Sequence, residues 1–156
     1  MSYTGTEGET SAVFRRDLEP LMLGVTAATF VAPGSVTNGQ FGLYRWDIPP
    51  HGGGAGGHFH RGFSESFYVV SGTVRLFDGE KWVDATAGDF LYVAEGGIHA
   101  FGNGSDEQAQ MLILFAPAPP REKYFRELAE WIDSGRPMSG EEYTEFLARH
   151  DQYMVP

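Results

Sequence analysis

The chain has 156 residues, 42% of them apolar, and no cysteine, so it suits one domain with a real core and excludes disulfides and thiolate metal ligands. Eleven basic against 21 acidic side chains give a formal charge of −10, which disfavours a nucleic-acid backbone or an anionic membrane as partner and points to a small molecule. Glycine, at 21 residues, is roughly twice its usual fraction, and beside 14% aromatic residues it suggests short strands joined by tight turns.

Residues 1–12 are polar and rich in Gly, Thr and Glu, and are expected to be disordered. The first residues hold no apolar stretch of the kind a signal peptide needs. The longest near-apolar run, Leu21 to Ala32, is about half a membrane span. A cytoplasmic protein is therefore expected. Strand-like patterns begin with MLGVTAATFV at 22–31 and FGLYRWDI at 41–48, which Pro49 and Pro50 stop. On the second, Tyr44 and Trp46 alternate with Leu43 and Arg45, and the sequence leaves open which pair faces inward. A run of small residues, Gly52 to Gly57, follows. Short strands are then expected at 64–71, 73–78, 81–86, 89–94, 98–102 and 109–116. Between them lie Ser71-Gly72, Asp78-Gly79, Ala87-Gly88, Gly96-Gly97 and Asn103-Gly104, whose residues tolerate left-handed turn conformations. Such regular spacing argues for an all-β sandwich or barrel.

Pro117, Pro119 and Pro120 end the β region, and the period becomes helical. Tyr124, Leu128 and Ile132 recur at helical spacing, widened by Phe125 and Trp131, until Gly135 and Pro137. Ser139 and Glu142 have capping-box spacing, so a second helix should start near 140 and turn Tyr143, Phe146 and Leu147 inward. The aromatic stripe reads as packing that covers an end or edge of the barrel. The expected organisation is a disordered tail over 1–12, a β-barrel over 13–118 and a helical extension over 119–156.

Side chains in a strand alternate faces, so His58 and His60 point to one side, and Phe59 to the other. Glu65 lies past a turn, where it can reach the same point, and His99 sits on a later strand. Three imidazoles and one carboxylate suit Fe, Mn, Ni, Co, Cu or Zn as the divalent ion, and in an octahedral site leave two open positions. His51 and His150 fit no ligand pattern and read as surface residues.

These residues resemble the two motifs of the cupin family. The first, G-x5-H-x-H-x(3,4)-E-x6-G, is filled by Gly52, His58, His60, Glu65 and Gly72. The second, G-x5-P-x-G-x2-H-x3-N, is met by Gly88, Gly96, His99 and Asn103, while Ala94 stands at its proline and should loosen one turn. The resemblance spans 52–103. It implies an all-β double-stranded β-helix, a jelly-roll barrel, with His58, His60, Glu65 and His99 binding one divalent transition metal inside. The small residues before His58 would let the backbone pass close to the site.

By strand parity Phe67 and Val69 share a face with Glu65, and Phe101 with His99, so these three are expected to line the substrate cavity. The resemblance implies chemistry on a small aromatic, phenolic or enolic molecule. A quercetinase-like dioxygenase comes first, with Glu65 as the catalytic group that takes the substrate proton. The alternatives are a non-oxidative cyclase or isomerase of the polyketide-cyclase kind, and a small-molecule-binding domain without turnover. By analogy with cupins of this size a homodimer is expected, with residues 12–32 supplying an exchanged strand.

Overall fold

The computed structural model describes residues 5, 8 and 11–156, so the tail expected over 1–12 lies mostly outside them. The chain forms β1 (Leu21–Leu23), β2 (Thr26–Ala32), β3 (Gly42–Ile48), β4 (His58–Phe59), β5 (Ser64–Ser71), β6 (Thr73–Phe77), β7 (Trp82–Thr86), β8 (Phe90–Val93), β9 (Ala100–Gly102) and β10 (Ala109–Ala116). Two helices follow, α1 (Arg121–Ser134) and α2 (Gly140–Arg149), and then β11 (Tyr153–Met154).

Six strands form one sheet in the order β1-β2-β3-β10-β5-β8, and β7-β6-β9 form a second. All pairings are antiparallel. Strict alternation sets the inner face. On β3 Tyr44, Trp46 and Ile48 are buried while Leu43 and Arg45 are only partly covered, which settles the choice that composition left open. On β10 Ala109, Met111, Ile113 and Phe115 turn the same way. Val74, Leu76 and Phe101 from the smaller sheet meet them in one continuous core, the double-sheet packing of a jelly roll. Residues 12–32, the segment expected to exchange between copies, hold β1 and β2, and β2 pairs with β3 of its own chain.

Turn chemistry fixes the register. Gly72 joins β5 to β6 at φ +73, and a Cβ there would sit 2.5 Å from the carbonyl oxygen of Gln108. The turn after β8, where Ala94 replaces the motif's proline, is closed by a 3.0 Å hydrogen bond from Gly97 N–H to Ala94 O.

Helix α1 packs against β1 and buries Tyr124, Phe125 and Ala129. Helix α2 starts at Ser139 with both halves of the capping box made, and buries Phe146 and Leu147. Periodicity gave no sign of β11, because two residues carry no period. This strand pairs with β4, Tyr153 opposite Phe59 and Met154 opposite His58. The C-terminal extension is thus not helical throughout, and its end returns to the motif region.

Candidate metal centre

His58 and His99 face each other as an isolated antiparallel bridge between β4 and the turn before β9. Each backbone N–H donates to the other's carbonyl, at 3.0 and 2.9 Å, which holds both rings on one side with centroids 4.3 Å apart. His60 lies one residue beyond β4, so the strand expected to carry both histidines stops short. It still faces the same point, 4.8 Å from His58 and 5.3 Å from His99 between ring centroids. Glu65, the second residue of β5, completes the set. One ligand atom from each of the four residues falls within 4.8 Å of the others, and all four are buried.

The outer partners set the tautomers. His58 Nδ1 lies 2.6 Å from Gly56 O, His60 Nδ1 2.6 Å from Asp151 O, and His99 Nδ1 3.0 Å from Gly97 O. A carbonyl only accepts, so each Nδ1 carries the proton and each Nε2 is left with a lone pair. Two of those nitrogens face one carboxylate oxygen: Glu65 Oε2 is 2.9 Å from His60 Nε2 and 2.6 Å from His99 Nε2. Lone pairs facing a carboxylate repel unless a cation lies between them, whether a proton or a metal ion. The donor set therefore fits a divalent ion of the first transition row. His58, His60, Glu65 and His99 are the residues that could hold it.

Proton affinities follow the same geometry. Burial pushes Glu65 up, but the His60 and His99 contacts, which become donors when a proton sits at Nε2, outweigh it and hold the carboxyl well below the usual carboxylate range. Burial pushes His99 down, yet its hydrogen bond to Glu65 wins and its pKa is raised. Burial dominates at His58, which is pushed down to about 4.

A cavity of about 240 Å³ opens beside His58 and Glu65. Its walls are mostly apolar: Trp46 and Phe101 from the sheets, Phe115 from β10, and Tyr124, Phe125 and Leu128 from α1. Of the three residues expected to line it, Phe101 does. Phe67 and Val69 do not, and both are fully buried. They follow Glu65 along β5, and each step of two residues moves about 7 Å along the strand from it. Phe67 packs instead beneath the site, 5.8 Å from the His99 ring and 5.7 Å from Phe101.

Helix α1, expected only to cover the barrel, is thus a wall of the cavity. Sequence reasoning also missed Arg121, Gln152 and Asp151. Arg121 stands three and four residues before Tyr124 and Phe125, on the apolar stripe, which was the available signal. The Asp151 carboxylate accepts from the N–H groups of Arg61 and Gly62 at 2.8 and 2.7 Å, while its carbonyl orients His60. His150 is not the surface residue expected. It caps α2, its side chain is 7% exposed, and its Nε2 lies 2.7 Å from Glu127 between the two helices. His51 is exposed beside Asp106.

Residues 44–115 match the family model of the Cupin domain. Solved structures agree with that fold. The polyketide cyclase RemF from Streptomyces resistomycificus superposes with a TM-score of 0.60 at 18% identity, over 72% of this chain and 82% of that one. An RmlC-like cupin from Shewanella frigidimarina gives 0.60 at 20% identity, over 74% and 96%. A predicted oxalate decarboxylase from Thermotoga maritima gives 0.59 at 21% identity, over 65% and 94%. At these identities the likeness shows the fold alone. No curated protein sequence matches the chain. No helix among the described residues is long and apolar enough to cross a membrane.

Proposed function

We propose that this chain, a cupin-fold protein with its cupin domain over residues 44–115, is a divalent-metal-dependent enzyme acting on a small aromatic, phenolic or enolic molecule. The observation that carries the proposal is the convergence of four buried ligands, within 4.8 Å, on the wall of an apolar cavity. A bound metal would act as a Lewis acid that lowers the pKa of a substrate hydroxyl and, where redox-active, opens the site to oxygen. The first reading is a quercetinase-like dioxygenase.

The chain's own residues do the rest. Trp46, Phe101 and Phe125 offer flat apolar faces that orient an aromatic ring and exclude water. Glu65, a buried carboxylate that borders the cavity, would take the proton from a substrate hydroxyl.

The second reading is a non-oxidative cyclase or isomerase, and the cavity wall supplies its supporting observation. Tyr124 lines the cavity that His58 and Glu65 border, and its phenol, protonated at neutral pH as any tyrosine is, would donate to a substrate carbonyl held there.

Metal content of tag-free protein, followed by oxygen-electrode assays with a phenol and 1,3-diketone panel, tests both. Near-stoichiometric metal absent from a His58→Ala/His60→Ala variant is expected. Oxygen uptake with iron, manganese, nickel, cobalt or copper supports the dioxygenase. Turnover of the zinc form without oxygen supports the cyclase or isomerase. No metal after reconstitution would overturn both.

A further inference from the structure

Arg121 is out of place by three independent measures. It is 3% exposed, yet no Asp or Glu oxygen among the described residues lies within 4 Å of its guanidinium. It occupies the first position of α1, where the helix dipole disfavours a cation. Its Nε–H has no hydrogen-bond partner.

Its other contacts satisfy it only in part. A guanidinium has five N–H donors. Nη1 donates to His150 O at 2.9 Å and Nη2 to the Gln152 side-chain oxygen at 3.1 Å. Nη2 is also 3.3 and 3.4 Å from the two ring nitrogens of His60. Near-equal distances place it along neither nitrogen's lone pair, so this is no acceptor. The rings of Phe63, Phe115 and Tyr124 surround the cation at 4.5–5.4 Å and soften its burial, but a quadrupole does not cancel a charge.

Both Arg121 and Trp46 line the cavity, and Trp46 Nε1 is a second buried N–H without a partner. Arg121 and Trp46 thus each bring an unpartnered N–H to the lining of one small, mostly apolar space, and the Glu65 carboxylate that shares this lining makes no ion pair with the guanidinium. Burying a charge without an ion pair is costly, and a ligand of opposite charge would recover part of that cost. With a divalent ion on Glu65 and three neutral imidazoles, the surplus positive charge only grows.

We propose that Arg121 is the anion-binding residue of this cavity, and that the ligand is a small aromatic or apolar molecule carrying a carboxylate. A planar carboxylate matches the planar donor fork of the guanidinium, and its apolar body fits against α1. This assignment rests on the substrate cavity proposed above but not on the metal, because Arg121 is no member of the ligand set and its burial and unpartnered Nε–H are features of the protein alone.

The test is calorimetric titration of benzoate against its neutral isostere benzamide, with zinc-loaded and chelator-treated wild-type protein, Arg121→Gln and Arg121→Lys. Wild type is expected to prefer benzoate by about tenfold or more in both forms. Arg121→Gln should erase that preference while its zinc stoichiometry, circular dichroism and benzamide affinity hold. Arg121→Lys, which keeps the charge but loses the fork, should retain part of it. Equal binding of the two probes to wild type would overturn the proposal. So would a preference confined to the zinc form, which would put the carboxylate on the metal, or one that survives Arg121→Gln. Zinc measured on the same samples separates the two readings: a protein that takes no zinc yet prefers benzoate would sink the metal reading and support this one.

Discussion

At the scale of single residues, the centre is organised by what holds the far side of each ring. Three Nδ1 atoms are committed to backbone carbonyls, so three Nε2 atoms have only the centre to face. Protons and metal then compete for one place, and the direction of that competition follows. His58, pushed down to about 4, is neutral throughout the physiological range and costs the metal nothing. His99 has a raised pKa because Glu65 favours its charged form, so it keeps its proton to higher pH than a free imidazole. The metal must displace that proton, and affinity should rise as pH climbs through the raised His99 range. Cobalt(II) titrations at pH 6 and pH 8 check this, with tighter binding expected at pH 8. Equal affinity at the two values would mean that the metal displaces no proton from His99 in that range.

At the scale of elements, the glycine-rich approach to His58 shows what close packing demands. A Cβ on Gly54 would lie 2.3 Å from Phe101 O and 2.4 Å from the Phe101 ring, whereas one on Gly53 would meet nothing within 4 Å. Gly54→Ala must therefore push the loop off β9 or displace a cavity wall, at about 1–3 kcal/mol, the usual cost of overpacking. Gly53→Ala should stay within about 0.5 kcal/mol of wild type. Urea denaturation of both variants reads the difference, and equal midpoints would show that the loop does not press on Phe101 in solution. The expectation that small residues let the backbone pass close came from the sequence, and the spacing of the turn dipeptides likewise marked β5 to β10 within a residue or two. Other features left no such trace. β4 and β11 pair over only two residues, too short for any period, so the sequence carried no sign that Asp151, just before β11, would orient His60. Phe67 and Val69 shared Glu65's parity, but parity says which face a side chain takes and not how far along the strand the cavity reaches. Arg121 was visible only as one charge at the head of an apolar stripe, and what makes it unusual, the lack of a counterion, is a tertiary fact.

At the scale of the whole molecule, the site is closed by the chain's last residues rather than by the barrel alone. Asp151 O orients His60, the Asp151 carboxylate pins the N–H groups of Arg61 and Gly62, and Val155 N–H donates to Gly57 O at 2.9 Å. His150 O and Gln152 hold Arg121 from the same segment. None of these contacts belongs to the two large sheets, which carry the continuous core. Ending the chain after Arg149 should therefore leave the sheets formed while freeing His60 to rotate and change tautomer. Loss of such an outer partner typically lowers metal affinity about 10–100-fold. The expected outcome is a far-UV spectrum that keeps its β signature, with metal affinity reduced by that factor. An Asp151→Ala variant, which removes the carboxylate but leaves the carbonyl, should fall between the truncated chain and wild type. Undiminished affinity in the truncated chain would show that the barrel positions His60 unaided.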